Sequence, residues 1–154
     1  MPPFVVETPQ ALKDFVGREI ATTEWFTVTQ ERIARFAEAT EDRQWIHVDP
    51  ERARKESPYG STVAHGFLTL SLLSHFLGEA IRIRSGVRMS INYGLNRVRF
   101  PTAVRAGKKI RARVTLQSQK EDPGFVEALF GITVECEGEA KPCCAAEWIV
   151  RYYL

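Results

Sequence analysis

An aspartate and a histidine five residues apart, Asp42 and His47, stand in the stretch Glu41-Asp42-Arg43-Gln44-Trp45-Ile46-His47-Val48-Asp49-Pro50, just beyond the end of a predicted helix. A carboxylate and an imidazole at this spacing can hold one water molecule between them, one group taking a proton while the other delivers one. Imidazole suits the task because its ordinary pKa of about 6.5 lies near neutral pH. Further along, His65-Gly66 opens a strongly apolar helix, and a free backbone N–H at Gly66 can receive a developing oxyanion. An acid/base pair followed by an anion-accepting helix start points to the addition or removal of water at an activated acyl group.

The elements that must position these groups follow from periodicity. Residues 8 to 16 read as a short helix stopped by Gly17, and Ile20 to Thr27 as a β-branched and aromatic strand. Thr29 caps a helix in which Ile33, Phe36, Ala37 and Thr40 recur at helical spacing, so Asp42 emerges where it ends. Asp49-Pro50 starts a second short helix with Pro at its first position, which makes Asp49 a cap rather than a catalyst. From about Gly66 to Gly78, Phe67, Leu68, Leu70, Leu72, Leu73, Phe76 and Leu77 cover nearly the whole circumference, which predicts a helix buried on all sides.

Beyond it the period becomes two. Val87, Met89, Ile91 and Tyr93 alternate with polar residues, as do Ile110 to Leu116 and Val126 to Val134, and Cys143 to Tyr153 is strand-like as well. Ala106-Gly107, Asp122-Pro123-Gly124 and Glu137-Gly138 read as turns. One strand, then helices, then antiparallel strands with one polar face predict a single α+β domain over residues 1–154, its sheet wrapped around the apolar helix.

Composition narrows the function. No apolar run approaches 18 residues, so no membrane span is expected, and the N-terminus shows no secretory signal. Cys136, Cys143 and Cys144 are an odd set without C-x-x-C spacing, read as reduced thiols of a cytoplasmic protein. From Ala80 to Lys120 there are eleven Lys or Arg and no Asp or Glu, which predicts an electropositive region suited to an anionic partner. Arg97, Arg99 and Lys108 are the candidates there for coenzyme phosphates, and Trp45 is a candidate substrate contact. No nucleic-acid-binding motif accompanies the charge, so nucleic acid is not the expected partner. The histidines and Asp42 match no metal-ligand pattern, so no metal is expected. There is neither a Gly-x-Ser-x-Gly elbow nor a Gly-rich phosphate loop. His65 is expected to be structural, placing the Gly66 N–H, and His75 to serve the core or an interface.

Asp42-Arg43-Gln44-Trp45-Ile46-His47 resembles the hydratase signature Asp-x-Asn-Pro-(Leu/Ile)-His of the MaoC-like dehydratases, a family that includes R-specific enoyl-CoA hydratases and the nodulation protein N branch. Gln44 and Trp45 replace Asn and Pro, as in the latter branch. The blocks Val63 to Ser71 and Asn92 to Pro101 are similar to the second and third family blocks. The resemblance covers roughly Thr22 to the C-terminus. It implies a hot-dog fold, at least a homodimer, and an acyl-CoA or acyl-carrier-protein substrate near the subunit interface, with no cofactor besides the coenzyme A of the substrate. It also implies that Asp42 and His47 are the working pair, that Gly66 is the oxyanion donor, and that Ser74 matches a serine hydrogen-bonded to the catalytic carboxylate. Two competing expectations remain. One is a hot-dog thioesterase, disfavoured because the helix carries no acid before Glu79; the other is an acyl-binding subunit without turnover.

Overall fold

The computed structural model describes residues 2–154. A short strand β1 (Phe4–Val6) and a 3₁₀ turn (Pro9–Phe15) lead into β2 (Arg18–Thr22) and β3 (Phe26–Thr27). Three helices follow: α1 (Gln30–Thr40), α2 (Trp45–Val48) and α3 (Pro50–Glu56). Next come α4 (Gly66–Ser71), α5 (Leu73–Ala80) and β4 (Ile81–Ile83), which lies parallel to β1. The long strands β5 (Met89–Arg99), β6 (Lys109–Asp122), β7 (Phe125–Cys136) and β8 (Cys144–Tyr153) complete the chain. The main sheet is antiparallel in the order β2-β6-β7-β8-β5, with β3 beside β6.

The expected alternation is realised in β6, β7 and β8. Their inner residues, among them Val114, Leu116, Phe130, Ile132, Trp148 and Val150, are buried against Leu73, Phe76 and Leu77 of α5, while the outer rows are half exposed. Phe76 and Phe130 are both fully buried. Removing an aromatic ring of this kind from a core typically costs about 3–5 kcal/mol. A sheet on one side of a central helix is the hot-dog arrangement. No helix among the described residues is long and apolar enough to cross a membrane.

Four sequence expectations need correction. Ile20 to Thr27 is not one strand: the chain breaks at Thr23, whose hydroxyl accepts the Ala112 amide and whose own amide bonds the Ala112 carbonyl. Nor is the central helix one piece buried on all sides. It is interrupted at Leu72, and Phe67, Ser71, Ser74, His75 and Gly78 are exposed, because the sheet covers only its other side.

β5 inverts the expected facing. Ser90 and Asn92 stand opposite the buried Tyr152 and Val150, so the polar row points inward, while Met89 and Ile91 stand opposite the outer residues Tyr153 and Arg151. The alternation was present, but pairing with β8 decides which row faces the helices.

The basic segment, lastly, is partly neutralised. Arg84, Arg111, Arg113 and Lys120 pair with Glu7, Glu135, Glu19 and Asp122. All three cysteines are buried and free, as expected of reduced thiols, and burial pushes the Cys143 thiol up to about 12.

Candidate active site

Asp42 and His47 are held by short-range devices. Thr29 caps α1 by accepting the Arg32 amide. The helix ends at Glu41 in a left-handed conformation (φ 65°), which turns the chain so that Asp42 leaves the axis. Its carboxylate receives the Gln44 amide at 3.4 Å and is about half exposed. One turn of α2 then carries His47 inward. Gln30 of α1 donates to the His47 carbonyl at 2.8 Å and accepts the Thr62 hydroxyl, tying α1, α2 and the segment before α4 together. That segment is clamped in turn, Val63 by the Ile46 carbonyl and Ala64 by the Val104 carbonyl.

The His47 ring is buried, and its Nδ1 lies 2.6 Å from the Val63 carbonyl. A carbonyl only accepts, so Nδ1 carries the proton and Nε2 of the neutral ring is the basic nitrogen. Burial lowers the His47 pKa below 6.5; the Val63 hydrogen bond opposes this, neighbouring His65 adds to it, and Asp42 opposes it. His47 is therefore neutral at pH 7.

A third residue joins them. His65 stacks on His47 with ring centroids 3.8 Å apart and planes 22° apart. Its Nε2 donates to the Asp42 backbone carbonyl at 2.9 Å and lies 4.0 Å from the Asp42 carboxylate. A carboxylate oxygen of Asp42 and one nitrogen from each ring all fall within 4.8 Å of one another. That span exceeds a direct hydrogen bond and fits one bridging water. The three groups are also close enough together to meet a metal ion, but the two rings stack nearly parallel, so their in-plane lone pairs run side by side rather than converging.

Gly66 begins α4 beside His65, and a Cβ there would meet the Phe100 ring at 3.0–3.2 Å. Trp45 starts α2, its ring covered by the Arg52 guanidinium of α3 at 4.3 Å from the centroid. Ser74 does not join the cluster. It lies two helical turns past Gly66 and lines a groove of about 440 Å³ with Leu77, Asn92, Trp148 and Tyr152. A second groove, of about 340 Å³, shares Ser74, Asn92 and Trp148 and reaches back to Leu70. Arg97 and Arg99 lie on the outer face of the sheet, with Thr115, Thr133 and Glu147. Lys108 sits half-buried in the turn before β6. His75 pairs with Glu79 at 3.4 Å on the open face of α5.

The model of the MaoC-like domain matches residues 12–133. The chain belongs to the MaoC-like dehydratase family. It is similar to 3-hydroxyacyl-thioester dehydratase Z of Mycobacterium tuberculosis, at 49% identity over 137 residues, covering 88% of this chain and 89% of that one. Nodulation protein N of Rhizobium leguminosarum is 47% identical over 137 residues, covering 87% and 84%. In fold it is similar to the (R)-hydratase from A. caviae, with a TM-score of 0.65 at 22% identity, covering 86% of this chain and 95% of that one. This MaoC-like protein is thus an enzyme of the dehydratase/hydratase class.

Proposed function

We propose that the protein interconverts trans-2-enoyl and (R)-3-hydroxyacyl thioesters, with coenzyme A or an acyl carrier protein delivering the acyl group. The observation that carries this reading is the approach of Asp42 and His47 to bridging-water distance with the basic Nε2 of His47 free of any hydrogen bond among the described residues. In the hydration direction that nitrogen takes a proton from the water as its oxygen bonds to the β-carbon. The proton that His47 has taken is then passed by way of the Asp42 carboxylate to the α-carbon on the same face. One water thus supplies both the hydroxyl and the hydrogen, both side chains return to their starting states, and the addition is syn. The thioester oxygen gains enolate charge, and the first-turn N–H of Gly66 is the donor suited to it. The acyl chain extends along the groove beside α4 and α5, which starts about one turn past Gly66. The 3-hydroxyacyl-thioester dehydratase among the relatives supports the substrate class.

Crotonyl-CoA incubated with the purified protein tests the reading. Loss of enoyl absorbance without release of thiol is expected, and Asp42→Asn and His47→Gln should each lower the rate by on the order of 10²–10⁴. Released thiol would instead mean a thioesterase. Binding without turnover on any enoyl chain length would mean an acyl-binding subunit.

A further inference from the structure

The segment Val63 to Gly66 touches every part of the site. The Val63 carbonyl fixes the His47 tautomer, and Gly66 supplies the free amide. Between them His65 reaches both members of the acid/base pair, by its Nε2–H to the Asp42 carbonyl and by its face to the His47 ring. We infer that His65 is a positioning residue, which locks the Asp42 backbone and the plane of the His47 ring to the start of α4. The inference rests on the proposed roles of Asp42 and His47 and assigns His65 no proton transfer of its own.

Packing alone does not ask for histidine here. The side chain is only 4% exposed, and its Nδ1 is buried with no hydrogen-bond partner among the described residues. An unpartnered buried acceptor weakens a fold, so a residue that keeps one in its core does so for another reason. The Asp42 side that it holds is otherwise loose. Its carboxylate is half exposed and receives, among the described residues, one long hydrogen bond, from the Gln44 amide. Phe36 of α1 also packs against the His65 ring, with centroids 4.9 Å apart and planes 57° apart, so the imidazole touches both α1 and His47.

Two substitutions separate its contacts. His65→Gln keeps an N–H donor near the Nε2 position but loses the ring. His65→Phe keeps the stacked ring but loses the donor and the orphan nitrogen together. The titratable groups facing His47 are His65 and Asp42; α1 meets its carbonyl through Gln30, and α3 turns Arg52 to Trp45. With His65→Phe, kcat on an enoyl-CoA should fall on the order of 10- to 100-fold while the melting temperature holds or rises. His65→Gln should recover part of kcat. In both variants the His47 ring, followed by NMR, should titrate at higher pH, because the neighbouring imidazole no longer opposes its charging.

Parental kcat and an unchanged His47 titration in both variants would overturn the inference. So would a loss of kcat that tracks a loss of melting temperature in both. If the parent protein hydrates no enoyl thioester, the proposed function fails. The NMR arm then decides the inference alone: unchanged His47 titration and an unchanged Asp42 carbonyl shift refute it.

Discussion

At the scale of residues, the charge state of His47 links the site to stability. Its folded pKa lies below 6.5, so between the folded and unfolded values the unfolded chain binds more protons. The stability this group contributes is complete above about pH 6.5 and is lost as the pH falls through the folded value. The melting temperature should therefore drop on acidification from pH 7 to 5, and the drop should be smaller in His47→Gln. An equal drop in the two proteins would show that His47 is not the group responsible. Asp42 and His47 were legible in the sequence because one helix end and one helical turn connect them, so their meeting is a local matter. The part played by His65 was not, since it depends on a stack formed across the fold. Its one sequence signal was its place immediately before Gly66. Ser74, which the resemblance implied would meet Asp42, lines the groove beside α5 instead.

At the scale of elements, the helix starts and the end of α1 were readable, but the turn made at that end was not. Thr29 and Asp49 both cap as their residue types dictate, Asp49 by accepting the Arg52 amide at 3.0 Å. Asp49→Ala should cost about 1 kcal/mol in chemical denaturation and leave kcat unchanged, which separates a cap from a catalyst only two residues from His47. Glu41, by contrast, takes the left-handed position that glycine or asparagine usually fills, so no residue type marked the turn that releases Asp42. The start of α4 makes a second test. Gly66→Ala brings a methyl to 3.0–3.2 Å from the Phe100 ring, which must give way for it, and the change should lower stability. Phe100→Ala in the same chain should relieve most of that cost, so the two changes should be strongly non-additive in a double-mutant cycle. Additive losses would mean that the ring already yields.

At the scale of the whole molecule, the strand that inverted its expected facing also says what the fold lacks. β5 is an edge strand of eleven residues, paired with β8 on one side only. It exposes Met89, Ile91, Tyr93 and Leu95, two of them more than half. A long apolar edge with unpaired backbone groups is a template for another strand, and soluble proteins cover such edges or pair them. Along the chain its alternation looked like that of the other strands. What distinguishes it is its place at the end of the sheet, which no local pattern encodes. The resemblance implies a homodimer, and β5 of a second copy would be the matching occupant, an isologous pairing in which the same edge serves both chains. Ser90 and Asn92 of that strand line the groove beside α5, so the pairing would bring a second chain to the rim of the acyl site. Sedimentation at micromolar concentration should therefore give twice the 17.5 kDa chain mass. Ile91→Lys, which places a charge on each edge, should shift the protein towards the single-chain mass and lower the hydration rate in parallel. A parent chain that sediments as a monomer while retaining full turnover would show that the site is complete without a partner.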